Sequence, residues 1–208
     1  MKITIITSCT KPENLPKLYE SIDFEHVDKW IIVYDTSQGK QYNWQYKKDT
    51  RILEAECPHE GFLGYAQKNL GLQFVNKGSV YFLDDTTIMH PNFWNIVPFL
   101  NEDTLYTWDE ESYLDIADTD GGDVFRFCKE LEFQNRMPMP IVRKGNNIHE
   151  YKIFIGMFLV PYKFISNITF IPHIQFSTGI FIKSIYEDNK TQTKYIPRIL
   201  SYGISLQV

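Results

Sequence analysis

The sequence predicts an α/β fold, a mixed and mostly parallel sheet flanked by helices in one domain. Three observations carry that expectation. Apolar β-branched runs alternate with amphipathic helical stretches through the first hundred residues, and strands separated by helices pair in parallel through right-handed crossovers. Acidic or polar clusters stand just after several of the runs, where a doubly wound sheet places its ligands. The length, 208 residues, suits one core, in which a chain buries roughly 70% of its unfolded surface with no disulfide or metal needed.

Taken in order, Lys2 to Ser8 is a β-branched run suited to a buried strand. Leu15, Leu18, Tyr19 and Ile22 fall at i, i+3, i+4 and i+7, one apolar helical face. Trp30 to Tyr34 repeats the strand pattern and ends at the turn cluster Asp35 to Gly39. Thr50 to Glu56 is a shorter strand candidate. Leu63, Ala66, Leu70 and Phe74 mark the next helix, stopped by Asn76-Lys77-Gly78. Ser79 to Leu83 is a further strand and ends on Asp84-Asp85, with a helical segment near Pro91 to Phe99. Later strand candidates are Thr104 to Trp108, Tyr113 to Ala117, Ile153 to Val160 and Lys194 to Leu206, with a helix built on Ile180, Ile182, Ile185 and Tyr186. Long loops between them suit lids or binding loops. The expected organisation is a single domain over 1–208.

Composition narrows the function classes. A net charge of −5 argues against nucleic acid as a partner, because phosphate backbones are held by basic faces. Cys9, Cys57 and Cys128 are scattered and odd in number, which suits reduced thiols and a cytoplasmic location. No run approaches the length of a membrane span, and Ile3 to Ile6 is too short for a signal-peptide core. The 15 Phe, 13 Tyr and 4 Trp are enough to fill a core and still line a cleft.

Asp84-Asp85 is the sharpest local feature. Adjacent carboxylates repel unless a cation or hydrogen-bond donors neutralise them, and hard oxygen ligands suit Mg²⁺ or Mn²⁺ shared with a diphosphate. The alternative is a solvated turn or a helix N-cap.

Four pieces together resemble a family. Ile5-Ile6-Thr7-Ser8-Cys9-Thr10-Lys11-Pro12, Ile32-Val33-Tyr34-Asp35-Thr36-Ser37, Ala66-Gln67-Lys68-Asn69-Leu70-Gly71, and Val80-Tyr81-Phe82-Leu83-Asp84-Asp85 with Pro91 seven positions after Asp84 stand in a telling order. They resemble the GT-A fold glycosyltransferases of the family-2 type, which use nucleotide-diphospho-sugars. The resemblance covers residues 2 to 93 well and the remainder loosely. A chain of this length is short for the family, so a fragment of a longer protein is one expectation.

The resemblance implies a UDP-sugar donor, a glycan or other hydroxyl acceptor, and Mn²⁺ or Mg²⁺. It implies that Thr7, Ser8 and Cys9 line the base, with Tyr34 an alternative stacking partner, and that Asp35 accepts the uracil N3–H. Lys68 approaches the nucleotide or Asp84, and Asn69 ties its helix to the metal loop. Asp84 joins the nucleotide contacts, with Asp85 as metal ligand and His173 as a further ligand or a packed histidine. The family's third acidic position is Thr86 here, and its late acidic pair falls near Ser177-Thr178, where no acid stands. The base is therefore sought in the Asp118 to Asp123 loop, at Asp120, or at Glu187-Asp188. Trp108 with Asp109 to Glu111 is a candidate sugar-binding cluster. The missing acids also suit an inactive nucleotide-sugar or glycan-binding module. A sugar nucleotidyltransferase ranks last, because Thr7 to Pro12 holds no glycine for a phosphate loop.

Overall fold

The computed structural model describes residues 1–36, 49–58, 60–61, 63–115, 155–172, 177–187 and 192–205. Among them, eight strands form one sheet: β1 (Ile3–Cys9), β2 (Val27–Asp35), β3 (Ile52–Cys57), β4 (Ser79–Phe82), β5 (Thr87–Met89), β6 (Thr104–Asp115), β7 (Phe158–Pro161) and β8 (Gln192–Ser205). The helices are α1 (Leu15–Ser21), α2 (Tyr65–Leu72), α3 (Pro91–Ile96) and α4 (Ser177–Glu187). Strand order is β3-β2-β1-β4-β7-β6-β8-β5. The pairs β3/β2, β2/β1, β1/β4 and β6/β8 are parallel, and β4/β7, β7/β6 and β8/β5 are antiparallel. The expected mixed, mostly parallel α/β sheet is present.

Every residue of β1 is buried, as a strand covered on both faces requires. Alternation divides the first strands between two apolar layers. Ile3, Ile5 and Cys9 with Trp30, Ile32 and Tyr34 pack with Leu15, Leu18, Phe93 and Trp108. Ile6, Ile31 and Val33 pack on the opposite face with Tyr65, Leu72, Phe181 and Ile182. Helices α1 and α3 thus cover one face and α2 and α4 the other.

Several boundaries depart from the sequence expectation, and the strand β5 is not foreseen there. The pieces at Thr104 and Tyr113 are one strand, β6, whose register on β8 shifts between Thr107 and Leu114; such irregularities bend a strand and increase its twist. In the described part of the expected strand Ile153 to Val160, which starts at Ile155, β7 begins at Phe158, after Gly156 at φ 94°. Pro161 still belongs to β7, at the end of its ladder with β4, where a missing N–H is tolerated. Helix α2 starts at Tyr65, because Leu63 and Gly64 adopt left-handed φ values of 50° and 65°.

Candidate functional site

The carboxyl ends of β1, β2 and β4 meet at one edge of the sheet, and a polar cluster is built there from β1, the β4–β5 turn and α2. Ser8 ends the α2-side row of β1. Its hydroxyl donates to Asp84 Oδ1 at 2.7 Å and accepts from Lys68 Nζ at 2.8 Å. Lys68 is fully buried, and its ammonium also lies 2.7 Å from Asp84 Oδ1 and 2.6 Å from the Leu63 carbonyl. The Asp84 side chain keeps 24% exposure, and its Oδ2 has no hydrogen-bond partner among the described residues.

Helix α2 is positioned for this by three polar side chains at helical spacing. Tyr65 Oη lies 3.0 Å from Thr178 Oγ1 and accepts from the Thr178 N–H, which fastens α4. Lys68 holds the strand ends. Asn69 donates from Nδ2 to the Phe170 carbonyl at 2.9 Å and accepts the Phe170 N–H at 2.8 Å. Gly64, just before the helix, leaves no room for a Cβ, which would meet Ser8 Cβ at 2.5 Å. Gly71, a helical turn beyond Lys68, lies as closely on Ile6.

Asp85 is turned the other way. Its Oδ2 accepts the backbone N–H groups of Thr10 and Lys11, both at 2.5 Å, and the Thr10 hydroxyl at 3.1 Å. Its carbonyl accepts from Asn14 Nδ2. The residue is 4% exposed, and burial pushes its carboxyl above the usual range against the pull of the Lys11 and Thr10 donors. These donors neutralise the carboxylate pair from within the chain: Lys68 and Ser8 on Asp84, two amides and a hydroxyl on Asp85.

The expected site residues therefore separate. Ser8, Lys68 and Asp84 come together, and Asp35, 5% exposed, ends the neighbouring strand β2. Thr7 and Cys9 lie on the opposite face, in the core. Thr7 Oγ1 accepts the Trp30 indole N–H at 2.9 Å, and burial, with Asp85 next, pushes the Cys9 thiol up. Tyr34 packs in that same core and donates its hydroxyl to Glu54. Trp108 is also a core residue, its indole N–H donating to the Gly156 carbonyl, rather than part of a sugar-binding surface. Asn69 joins α2 to Phe170, a correction to the expected bond to the Asp84 turn. Asp120, His173, Asp118, Asp123 and Asp188 lie outside the described residues.

For a divalent cation, the described residues offer the open Asp84 oxygen, while Asp85 faces the chain and Thr86 stands at the third position. Among the described residues no three His, Cys, Asp or Glu side chains gather as a metal cluster. One or two carboxylates suffice for a Mg²⁺ that a substrate diphosphate also holds, so Asp84 is the residue that fits this role. Sequence reasoning missed the Thr10–Lys11 amides, Asn14 and the Leu63 carbonyl. Backbone groups carry no residue signature, so no motif marks them.

Comparison with protein-family models and with curated proteins finds no match. Solved structures do match. A fragment of S. aureus TarS, residues 1–349, superposes with a TM-score of 0.68 at 13% identity, covering 98% of this chain and 60% of that one. The same fragment solved with UDP-GlcNAc gives 0.67 at 13%, covering 100% and 60%. The fragment solved with UDP gives 0.67 at 11%, covering 99% and 61%. The fold is GT-A. The chain spans about three-fifths of those TarS fragments and 37% of a longer TarS chain. The polar cluster stands at the carboxyl ends of the first strands of this fold.

Proposed function

We propose that this protein transfers a sugar from a UDP-sugar to a hydroxyl acceptor, a glycan in the simplest case. Two observations carry the reading: a GT-A likeness to a protein solved with UDP and UDP-GlcNAc, and a part-exposed carboxylate at the sheet edge, Asp84, braced through one of its two oxygens.

In this reading Asp35 accepts the uracil N3–H, and the other oxygen of Asp84 takes a ribose hydroxyl or a shared Mn²⁺ or Mg²⁺. A bound cation would supply Lewis-acid stabilisation of the departing diphosphate. The acceptor hydroxyl needs a proton acceptor within hydrogen-bond reach, a contribution of about 10²–10⁴-fold, and Asp120 is proposed for it. A second reading, a binder without turnover, draws support from Thr178, which stands near the position expected for an acidic pair and is buried and bonded to Tyr65.

Thermal-shift measurements with UDP, GDP, CMP and UDP-sugars, each with and without Mn²⁺, test the donor. A ligand at 100 times its dissociation constant adds about 2.7 kcal/mol. UDP is expected to shift the melting temperature most, and equal shifts for all three nucleotides would remove the base assignment. Release of UDP from a UDP-sugar separates enzyme from binder, and D120N is expected to lower turnover at least about 100-fold with UDP affinity unchanged.

A further inference from the structure

Lys68 is held inside the protein by two hydrogen bonds and an ion pair. Its ammonium donates to the Leu63 carbonyl and to Ser8 Oγ and lies 2.7 Å from Asp84 Oδ1, on a side chain with no exposed surface. Those three groups belong to three separate pieces of chain: the turn before α2, the end of β1 and the turn after β4. Ser8 closes the arrangement by donating to the same Asp84 oxygen. Oδ1 is thus held from two sides, and Oδ2 is left without a partner among the described residues, on a side chain that keeps 24% exposure.

The backbone beside Lys68 is shaped to this arrangement. Leu63 takes a φ of 50°, the one non-glycine among the described residues in the left-handed region, and such a conformation persists where surrounding contacts hold it. Its carbonyl is the one Lys68 binds. Gly64 lets that turn approach Ser8 more closely than any side chain would permit.

We infer that Lys68 is a positioning residue, which fixes the Asp84 carboxylate with one oxygen presented to the ligand and does not itself touch the ligand. The inference rests on reading this edge as a nucleotide site. It differs from the expectation that Lys68 contacts the nucleotide, since the side chain has no exposed surface from which to reach one. It also assigns the ligand-facing role to Asp84 and a structural one to Asp85.

A double-mutant cycle tests it, with UDP titrated calorimetrically in the presence of Mn²⁺ into the parent protein, K68M, D84N and the K68M/D84N pair, melting temperatures being recorded alongside. K68M and D84N are each expected to weaken UDP binding about tenfold or more, and the pair to be no more than about twofold weaker than D84N alone, because residues that act as a unit are non-additive. A pair whose loss equals the product of the single losses would mean that Lys68 meets the ligand directly. Parent-like affinity in folded K68M would make the ion pair structural only. Either result overturns the inference. K68M leaves an uncompensated carboxylate; where it does not fold, the pair, which leaves no orphan charge, is compared with D84N. Equal affinity then supports positioning, and a tenfold gap refutes it. A parent protein that binds no nucleotide would end the functional reading itself and this inference with it, whereas nucleotide binding with an additive cycle ends this inference alone.

Discussion

Asp84 and Asp85 are chemically alike and adjacent, yet the structure gives them opposite environments. Asp84 keeps an oxygen without a partner among the described residues, while Asp85 faces two amides and a hydroxyl in near-complete burial. Burial raises the folded-state pKa of Asp85 above its unfolded value of about 3.8, so over the carboxylate range the native state binds more protons than the unfolded chain. The associated stability is complete below the unfolded pKa and is lost as pH rises through the folded one. D85N cannot ionise and retains an oxygen acceptor for the Thr10 and Lys11 amides. Its melting temperature is therefore expected to gain on the parent's as pH is raised from 4 to 7. A parent-minus-variant difference that stays flat with pH would contradict the environment assigned to Asp85.

At the scale of elements, α2 organises the site more than any strand does. Eight residues long, it sends Tyr65 to α4, Lys68 to the ends of β1 and β4, and Asn69 to the backbone at Phe170. The Asn69 pair joins segments 101 residues apart in sequence. N69A removes both bonds and leaves the Phe170 amide and carbonyl without them, an expected cost of about 1–3 kcal/mol. Loss of amide hydrogen-exchange protection at Phe170, together with a lower melting temperature, is the expected signature. Undiminished protection there would show that packing of Phe170 between Tyr65 and Phe181 holds the segment unaided.

For the whole molecule, the decisive feature is which face of the sheet a residue joins. Thr7 and Ser8 are neighbours in sequence, but alternation sends Thr7 to the Trp30 core and Ser8 to the α2 cluster. T7V removes the hydroxyl that accepts the buried indole N–H of Trp30. The expected result is a loss of about 1–3 kcal/mol in stability by urea unfolding, with UDP affinity unchanged. Weakened UDP binding in stably folded T7V would return Thr7 to the ligand site.

The sequence by itself determined the α/β class, the run of strands from β1 to β4 with α1 and α2 between them, and the meeting of polar residues at the carboxyl ends. These depend on local periodicity and on chain order, and both are written in consecutive residues. It also marked Ser8, Lys68 and Asp84 as a group through their motif positions. Only the tertiary structure decided that Asp85 faces inward, that Lys68 is fully buried against Ser8 and Asp84, that Thr7, Cys9, Tyr34 and Trp108 belong to the core, and that Asn69 reaches Phe170. Each of these depends on a partner distant in sequence or on a backbone N–H or C=O, and such groups are the same at every position until the chain has folded around them.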